Sequence, residues 1–427
     1  GGTTQTVKSA TYHHLTISGS GAKTLGGAIT VNGDFSINSG TLATSTFQIT
    51  GNTSGSFSMA ASTGLYIGLN SSTTDVVFPT NFTNNHISLS STSTVYYYGN
   101  YAQTVSSVPT YGNLNVITFA GAKTANGDLN VTGNLTTTAS TLTMTTYTLN
   151  LTGNYLSTGA LSFTTGTFNI SGNFTNTGTF TKGTGTVNYN GSSAQTVRGV
   201  NYNNLTFSST GDKLLQAAAT VGISGTFTRG TMIVTPGATN TVTFNGGVQT
   251  MTGSATSFTN LTFSNTSLSA PADFTVSSTL TTTSPAALNM STYTLNVSGS
   301  YAGAGSIAFT SGTFNLTGNY TGTGALSFTT GAFNISGSFT NTGTFTCGTG
   351  TVDYNGGGAQ TVRGVNYNNL TFSGVGAKTL QASATIGIAG TFTRGSMTVT
   401  PGTSNTVTFN GGAQTMTGSA TTFTNLT

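Results

Sequence analysis

The feature that most restricts the fold is a repeat of nineteen residues. "TGTFNISGNFTNTGTFTKG" at 165–183 returns as "TGAFNISGSFTNTGTFTCG" at 330–348. Residues 150–262 match 315–427 at a constant offset of 165, whereas "TYTLN" at 146–150 returns at 292–296, an offset of 146. The offsets differ by nineteen, the interval that also separates "NLTGN" (150), "NISGN" (169) and "NYNGS" (188), and again "NVSGS" (296), "NLTGN" (315), "NISGS" (334) and "DYNGG" (353). A whole unit has been gained or lost without disturbing its neighbours. Such an edit would scramble the strand pairing of a sandwich, but it only lengthens a solenoid by one coil, because each coil touches only the coils beside it.

Within a unit, apolar and polar residues alternate with the period of a half-buried strand. Stacking the units places like on like: Leu149, Phe168 and Val187 form one column, Leu151, Ile170 and Tyr189 a second, and Tyr155 and Phe174 begin a third. The later copy gives Leu295, Phe314, Phe333 and Val352, then Val297, Leu316, Ile335 and Tyr354. These columns are the expected core. Gly153, Gly172, Gly191, Gly299, Gly318, Gly337 and Gly356 keep register with them, as expected of coil corners whose backbone conformation only glycine adopts freely. Six prolines in 427 residues deny few positions a ladder hydrogen bond. The sequence therefore predicts an all-β chain, a parallel β-helix (β-solenoid) with coils of about 19 residues, continuous over 1–427 as a single elongated rod.

Other coils are less regular but share punctuation. "TQTV" (4), "AQTV" (102, 194, 359), "VQTM" (248) and "AQTM" (413) are each followed ten to twelve residues after the glutamine by a leucine: Leu15, Leu114, Leu205, Leu261, Leu370 and Leu426. Residues 53–100 fit least well and are expected to bulge from the tube. The closing "FTNLT" stops mid-phrase relative to its earlier counterpart, so the chain is read as a segment of a longer one, its end coils uncapped and offering unpaired backbone groups.

Little in the composition points to chemistry. Charged residues are 4% of the chain, Glu and Trp are absent, and the ten basic residues giving a net charge of +4 are scattered singly, so no patch is built to neutralise phosphates and nucleic acid is not an expected partner. No apolar run approaches the ~20 residues of a membrane span. Asp34, Asp75, Asp128, Asp212, Asp273 and Asp353 never fall one coil apart, which argues against a paired-carboxylate enzyme and against a calcium cage. His13 and His14 would face opposite sides of a strand, and His86 is remote. No catalytic residue, metal ligand or cofactor is expected. Arg198, Arg229, Arg363 and Arg394 echo one another at 165 residues and read as solvated arginines lying over a neighbouring tyrosine. Cys347, opposite Lys182 in the earlier copy, reads as a neutral surface position, the alternative being an intermolecular bridge. Thr175, Thr177, Thr179 and Thr181 point one way, as in an ice-binding array, but Leu156, Thr158, Ala160 and Ser162 one unit earlier break the stacking. Asn-x-Ser/Thr sites such as Asn173, Asn204, Asn260, Asn319 and Asn369 leave glycosylation open.

The units "NLTFSGVGAKTL" (369–380), "HLTISGSGAKTL" (14–25) and "NVITFAGAKTANGDLNVTGNLT" (115–136) resemble the β-strand repeats of large secreted bacterial surface proteins of the adhesin and filament type. The resemblance implies export to the cell surface or beyond, a β-solenoid stalk or filament, and no catalytic residues. The leading expectation is a structural subunit of an extracellular bacterial fibre, filament or sheath that self-associates. The alternative is the stalk of a secreted or surface-anchored adhesin, with a surface polysaccharide or a host or abiotic surface as partner; an ice-binding protein stands third.

Overall fold

Alternating side chains make strands with one buried face, and the computed structural model describes such strands over residues 4–117 and 121–427. The opening GlyGlyThr and residues 118–120 of the 115–136 repeat lie outside the described residues. The described residues form two compact units, residues up to Arg198 with Tyr202–Lys213, and Gly199–Asn201 with Leu214–Thr427. Each is a parallel β-solenoid.

In the first unit one wall runs through Gln5–Val7, Ala22–Leu25, Thr41–Ala43, Gly64–Ile67, Thr94–Tyr97, Asn113–Ile117 and Leu135–Thr138, in that order. Each strand is parallel to the next, as in the pairing of Leu65 with Leu42 and Val95. Further along, Leu149 pairs with Phe168 and Phe168 with Val187, while Ile170 lies between Leu151 and Tyr189. Tyr155 bridges Leu135 and Phe174, its ring stacked on Phe174 at 5.5 Å. All are buried. The irregular stretch does not simply loop outward. Residues 68–93 separate the paired strands Gly64–Ile67 and Thr94–Tyr97, and this excursion returns Phe78 and Phe82 to the core, each with its ring 5.7 Å from that of Phe57. It also carries the short 3-10 turn Asn84–His86.

In the second unit most coils have three strands. Thr351–Tyr354, Gln360–Val362 and Asn366–Tyr367 are followed by Asn369–Phe372, which closes the turn by pairing with Thr351–Tyr354. One wall stacks nine strands from Thr256–Phe258 to Thr415–Gly418. Within it Leu295, Phe314, Phe333 and Val352 are successive register partners, as are Val297, Leu316, Ile335 and Tyr354. Adjacent parallel strands lie about 4.8 Å apart, so each aromatic ring covers the one below it. Phe314 and Phe333 stack at 5.2 Å.

The polar residue between the core columns also repeats for a reason. The Asn150 amide donates to Asn130 at 2.9 Å, Asn169 to Asn150 at 2.8 Å and Asn188 to Asn169 at 3.0 Å. In the second unit Asn315 donates to Asn296 and Asn334 to Asn315, both at 2.8 Å. An amide ladder of this kind needs the same residue in every coil, since each Asn is both donor and acceptor.

The glycines in register with the columns serve a purpose other than the one the sequence predicts. None of the seven has a positive φ. A Cβ on Gly153, Gly172, Gly318 or Gly337 would come closer than 3.0 Å to the carbonyl oxygen of the glycine one coil earlier, and one on Gly191, Gly299 or Gly356 would do the same to a serine carbonyl. Glycine is required here because one backbone lies directly on another, not because the corner demands a left-handed residue.

Candidate functional site

A coil corner built on the "QTV" punctuation recurs with its full set of side chains. Gln360 is buried; its Oε1 accepts the Gly356 N–H at 2.9 Å, and its Nε2 donates to the Ile335 carbonyl at 2.8 Å and the Gly337 carbonyl at 2.6 Å. Gln195 repeats this with Gly191, Ile170 and Gly172 at 2.8, 2.9 and 2.6 Å. Gln103 does so with Gly99 and Ile67 at 2.9 and 3.2 Å. One amide thus joins peptide groups of two coils: it gives the Gly356 N–H an acceptor and the Gly337 carbonyl a donor, and adds a second donor to the Ile335 carbonyl, which already accepts the Asn355 N–H.

The next coil completes the corner with a buried lysine. Lys378, the register partner of Gln360, donates to the Gly356 carbonyl at 3.1 Å. Lys213 donates to Gly191 and Gly211 at 3.3 and 2.5 Å, and Lys123 to Gly99 at 2.8 Å and to Tyr101. In each case the glycine whose N–H meets the glutamine has its carbonyl bound by the lysine. Burial lowers the affinity of these amines for a proton, and for Lys123 the pKa is pushed down to about 8. At the Gln249 corner the register partner is Leu268 instead of a lysine, and the Gln249 Oε1 has no partner.

A tyrosine pair closes the same coil. The Arg363 N–H donates to the Tyr354 hydroxyl at 3.1 Å, Tyr354 and Tyr367 share a hydrogen bond of 2.9 Å, and the Tyr367 hydroxyl donates to the Arg363 carbonyl at 2.8 Å. Tyr189, Tyr202 and Arg198 form the same ring at 2.8, 2.7 and 3.1 Å, and Tyr97, Tyr111 and Ser106 at 2.8, 2.6 and 2.9 Å. Burial pushes Tyr97, Tyr189 and Tyr354 up to about 12, and Tyr111, Tyr202 and Tyr367 well above the ordinary phenol range.

The arginines are not solvated residues over tyrosines. Arg198 and Arg363 are half-buried over Phe174 and Phe339, at 4.9 and 5.0 Å, and their guanidinium groups bond Asn176 and Asn341 and the carbonyls of Gly178 and Gly343. Arg229 and Arg394 are only 7% and 8% exposed and donate to the Met232 and Met397 carbonyls and to the Thr256 and Thr421 hydroxyls. Cys347 is not a surface position either. It is 7% exposed, its thiol accepts the Asn368 N–H at 3.1 Å, and burial raises its pKa. His13 and His14 do not face opposite sides; they lie between strands with their rings edge to face at 4.4 Å, and His14 approaches Asp34 at 3.5 Å. Thr175, Thr177, Thr179 and Thr181 are exposed, but only Thr181 lies in a strand, Phe180–Thr181.

Among the described residues no group of three or more His, Cys, Asp or Glu side chains could hold a metal ion. No helix of the described residues is long and apolar enough to cross a membrane. The sequence marks the glutamine of the corner as punctuation but gives it no role. The lysines at 123 and 378 stand inside "GAKTA" and "GAKTL" with no role legible for them; the signal that would have found them is their place 18 to 20 residues after the glutamine. What the fold and this corner define is a tandem-repeat β-solenoid whose repeated polar residues bind one coil to the next. No protein-family model, curated protein or solved structure matches the chain.

Proposed function

We propose that the chain is a structural element of an extracellular bacterial fibre, filament or sheath, in which β-solenoid coils associate into larger assemblies. The observation that carries this reading is the use made of the repeated side chains. Apolar columns, Asn ladders and Gln–Gly–Lys corners are all spent on joining one coil to the next, which is the requirement of a load-bearing material. The resemblance to secreted bacterial surface repeats supports export. A chain with only 4% charged residues, rich in Thr, Ser and Asn, supports lateral contact between chains through hydroxyl and amide groups with little charge repulsion.

The test is negative-stain microscopy and sedimentation of the purified chain over a range of concentrations. The proposal expects fibres whose mass grows with concentration. Dispersed single chains at every concentration contradict it and favour the stalk of a surface adhesin.

A further inference from the structure

The wall of the second unit carries a groove of about 380 Å³ that the coil-to-coil bonding leaves open. Its lining includes Thr340, Thr342, Thr361, Asn341, Arg363 and Gln381. The Arg363 guanidinium has five N–H donors in a planar fork. One bond from each terminal nitrogen goes to Asn341 and Gly343, which fixes the fork over Phe339 and leaves donors at the groove. No carboxylate answers this charge. The ion pair of His14 with Asp34 lies in the other unit. Gln381 holds the Gly364 N–H on its Oε1 at 2.8 Å, and its NH2 group is left for a ligand.

We propose that this groove binds a carboxylate borne on a hydroxylated ring, the chemistry of an acidic polysaccharide built from uronic acid residues. A single fixed guanidinium matches one planar monoanion in a bidentate fork. The groove lacks the several cations and converging backbone N–H groups that a doubly charged phosphate requires. Three threonine hydroxyls and a primary amide suit ring hydroxyl groups, and a few hundred Å³ is the size of a small-ligand site. Arg198 repeats the clamp in the first unit, with Asn176 at 3.0 Å, Gly178 at 2.8 Å and Phe174 beneath. This binding does not depend on fibre formation and is measured on dispersed chains.

The test is affinity electrophoresis and calorimetry of the whole chain with polygalacturonate, with a neutral glucan and with polyphosphate. Two variants accompany the wild type: Arg198→Gln with Arg363→Gln, and Gln381→Glu. The second keeps an acceptor for Gly364 while placing a negative charge at the groove of the second unit, so it remains informative if the arginine variant fails to fold. The expected result is polygalacturonate binding that added salt weakens, that the arginine pair reduces about tenfold or more and that Gln381→Glu lowers in stoichiometry, with no binding of the glucan. Equal binding of the neutral glucan, tighter binding of polyphosphate, or unchanged polygalacturonate binding by Gln381→Glu overturns the proposal.

Discussion

Gln360 and Lys378 are register partners in adjacent coils, and both bind the same glycine: Gln360 accepts the Gly356 N–H at 2.9 Å, and Lys378 donates to the Gly356 carbonyl at 3.1 Å. The two contributions are unequal. The glutamine is the partner of the Gly356 N–H and of the Gly337 carbonyl, whereas the lysine brings a buried charge that makes no ion pair, the Asp353 carboxylate acting on it only from a distance. Gln360→Leu therefore leaves unpaired groups costing about 1–3 kcal/mol each, while Lys378→Met replaces a desolvated ammonium by an apolar chain of similar shape and is expected to be near neutral. Urea denaturation of the two variants checks the order. A Lys378→Met variant less stable than Gln360→Leu contradicts it.

Close backbone approach, not conformation, is what fixes glycine at the repeat corners. Gly337→Ala forces a methyl group against the Gly318 carbonyl and is expected to destabilise by about 1–3 kcal/mol, the usual range for overpacking. Gly357→Ala is the control, since a Cβ there meets nothing within 4 Å, and its effect is expected within about 0.5 kcal/mol. Equal thermal shifts for the two variants would refute the steric explanation.

The buried tyrosine rings make the fold sensitive to alkali. Tyr354 is pushed up to about 12 in the folded chain against 10.0 for the free phenol. Between these values the folded state holds a proton that the unfolded state has lost, so stability is fully present below pH 10 and declines as pH rises through 12. Tyr354→Phe with Tyr367→Phe lowers stability at pH 7 by removing the ring of hydrogen bonds, and it flattens the alkaline decline. Denaturation midpoints at pH 8 to 12, with phenolate absorbance recorded alongside, read both effects; an alkaline decline that is unchanged in the double variant contradicts the assignment.

Cys347 is enclosed, and burial holds its thiol above the ordinary range, so little thiolate exists to react. A disulfide-forming chromogenic reagent at pH 8 is expected to leave the native chain almost unmodified and to label one thiol per chain in denaturant. Rapid labelling of the native chain, or disulfide-linked dimers under non-reducing conditions, would contradict the placement.

How much of this was legible in the sequence depends on the period of the interaction. The columns through Phe168 and Phe333 were legible because parallel stacking places like on like at a fixed interval, and an interval is what a sequence displays. The excursion at 68–93 was harder, since Phe78 and Phe82 reach the core from a segment with no repeat. Polar corners were half visible: Gln195 and Gln360 recur and a lysine follows each after 18 residues, but the spacing alone does not say that both side chains meet at one glycine. The arginines and Cys347 were misjudged because charge and rarity point to a surface. A solenoid has backbone carbonyls and N–H groups along its whole wall: the carbonyls accept from the arginines, and the Asn368 N–H donates to the Cys347 thiol.

The central claim is that residues nineteen apart are neighbours in adjacent coils. The most direct measurement is disulfide trapping in a Cys347→Ser background with cysteines at Thr167 and Thr186, which are register partners on the outer face. Parallel strands place such Cα atoms about 4.8 Å apart, inside the 4.4–6.8 Å that a disulfide spans. The account predicts rapid, complete closure of the 167–186 pair under mild oxidation and none for a 167–177 pair. A 167–186 pair that stays reduced while the 167–177 pair closes would contradict the stacked-coil architecture and everything argued from it.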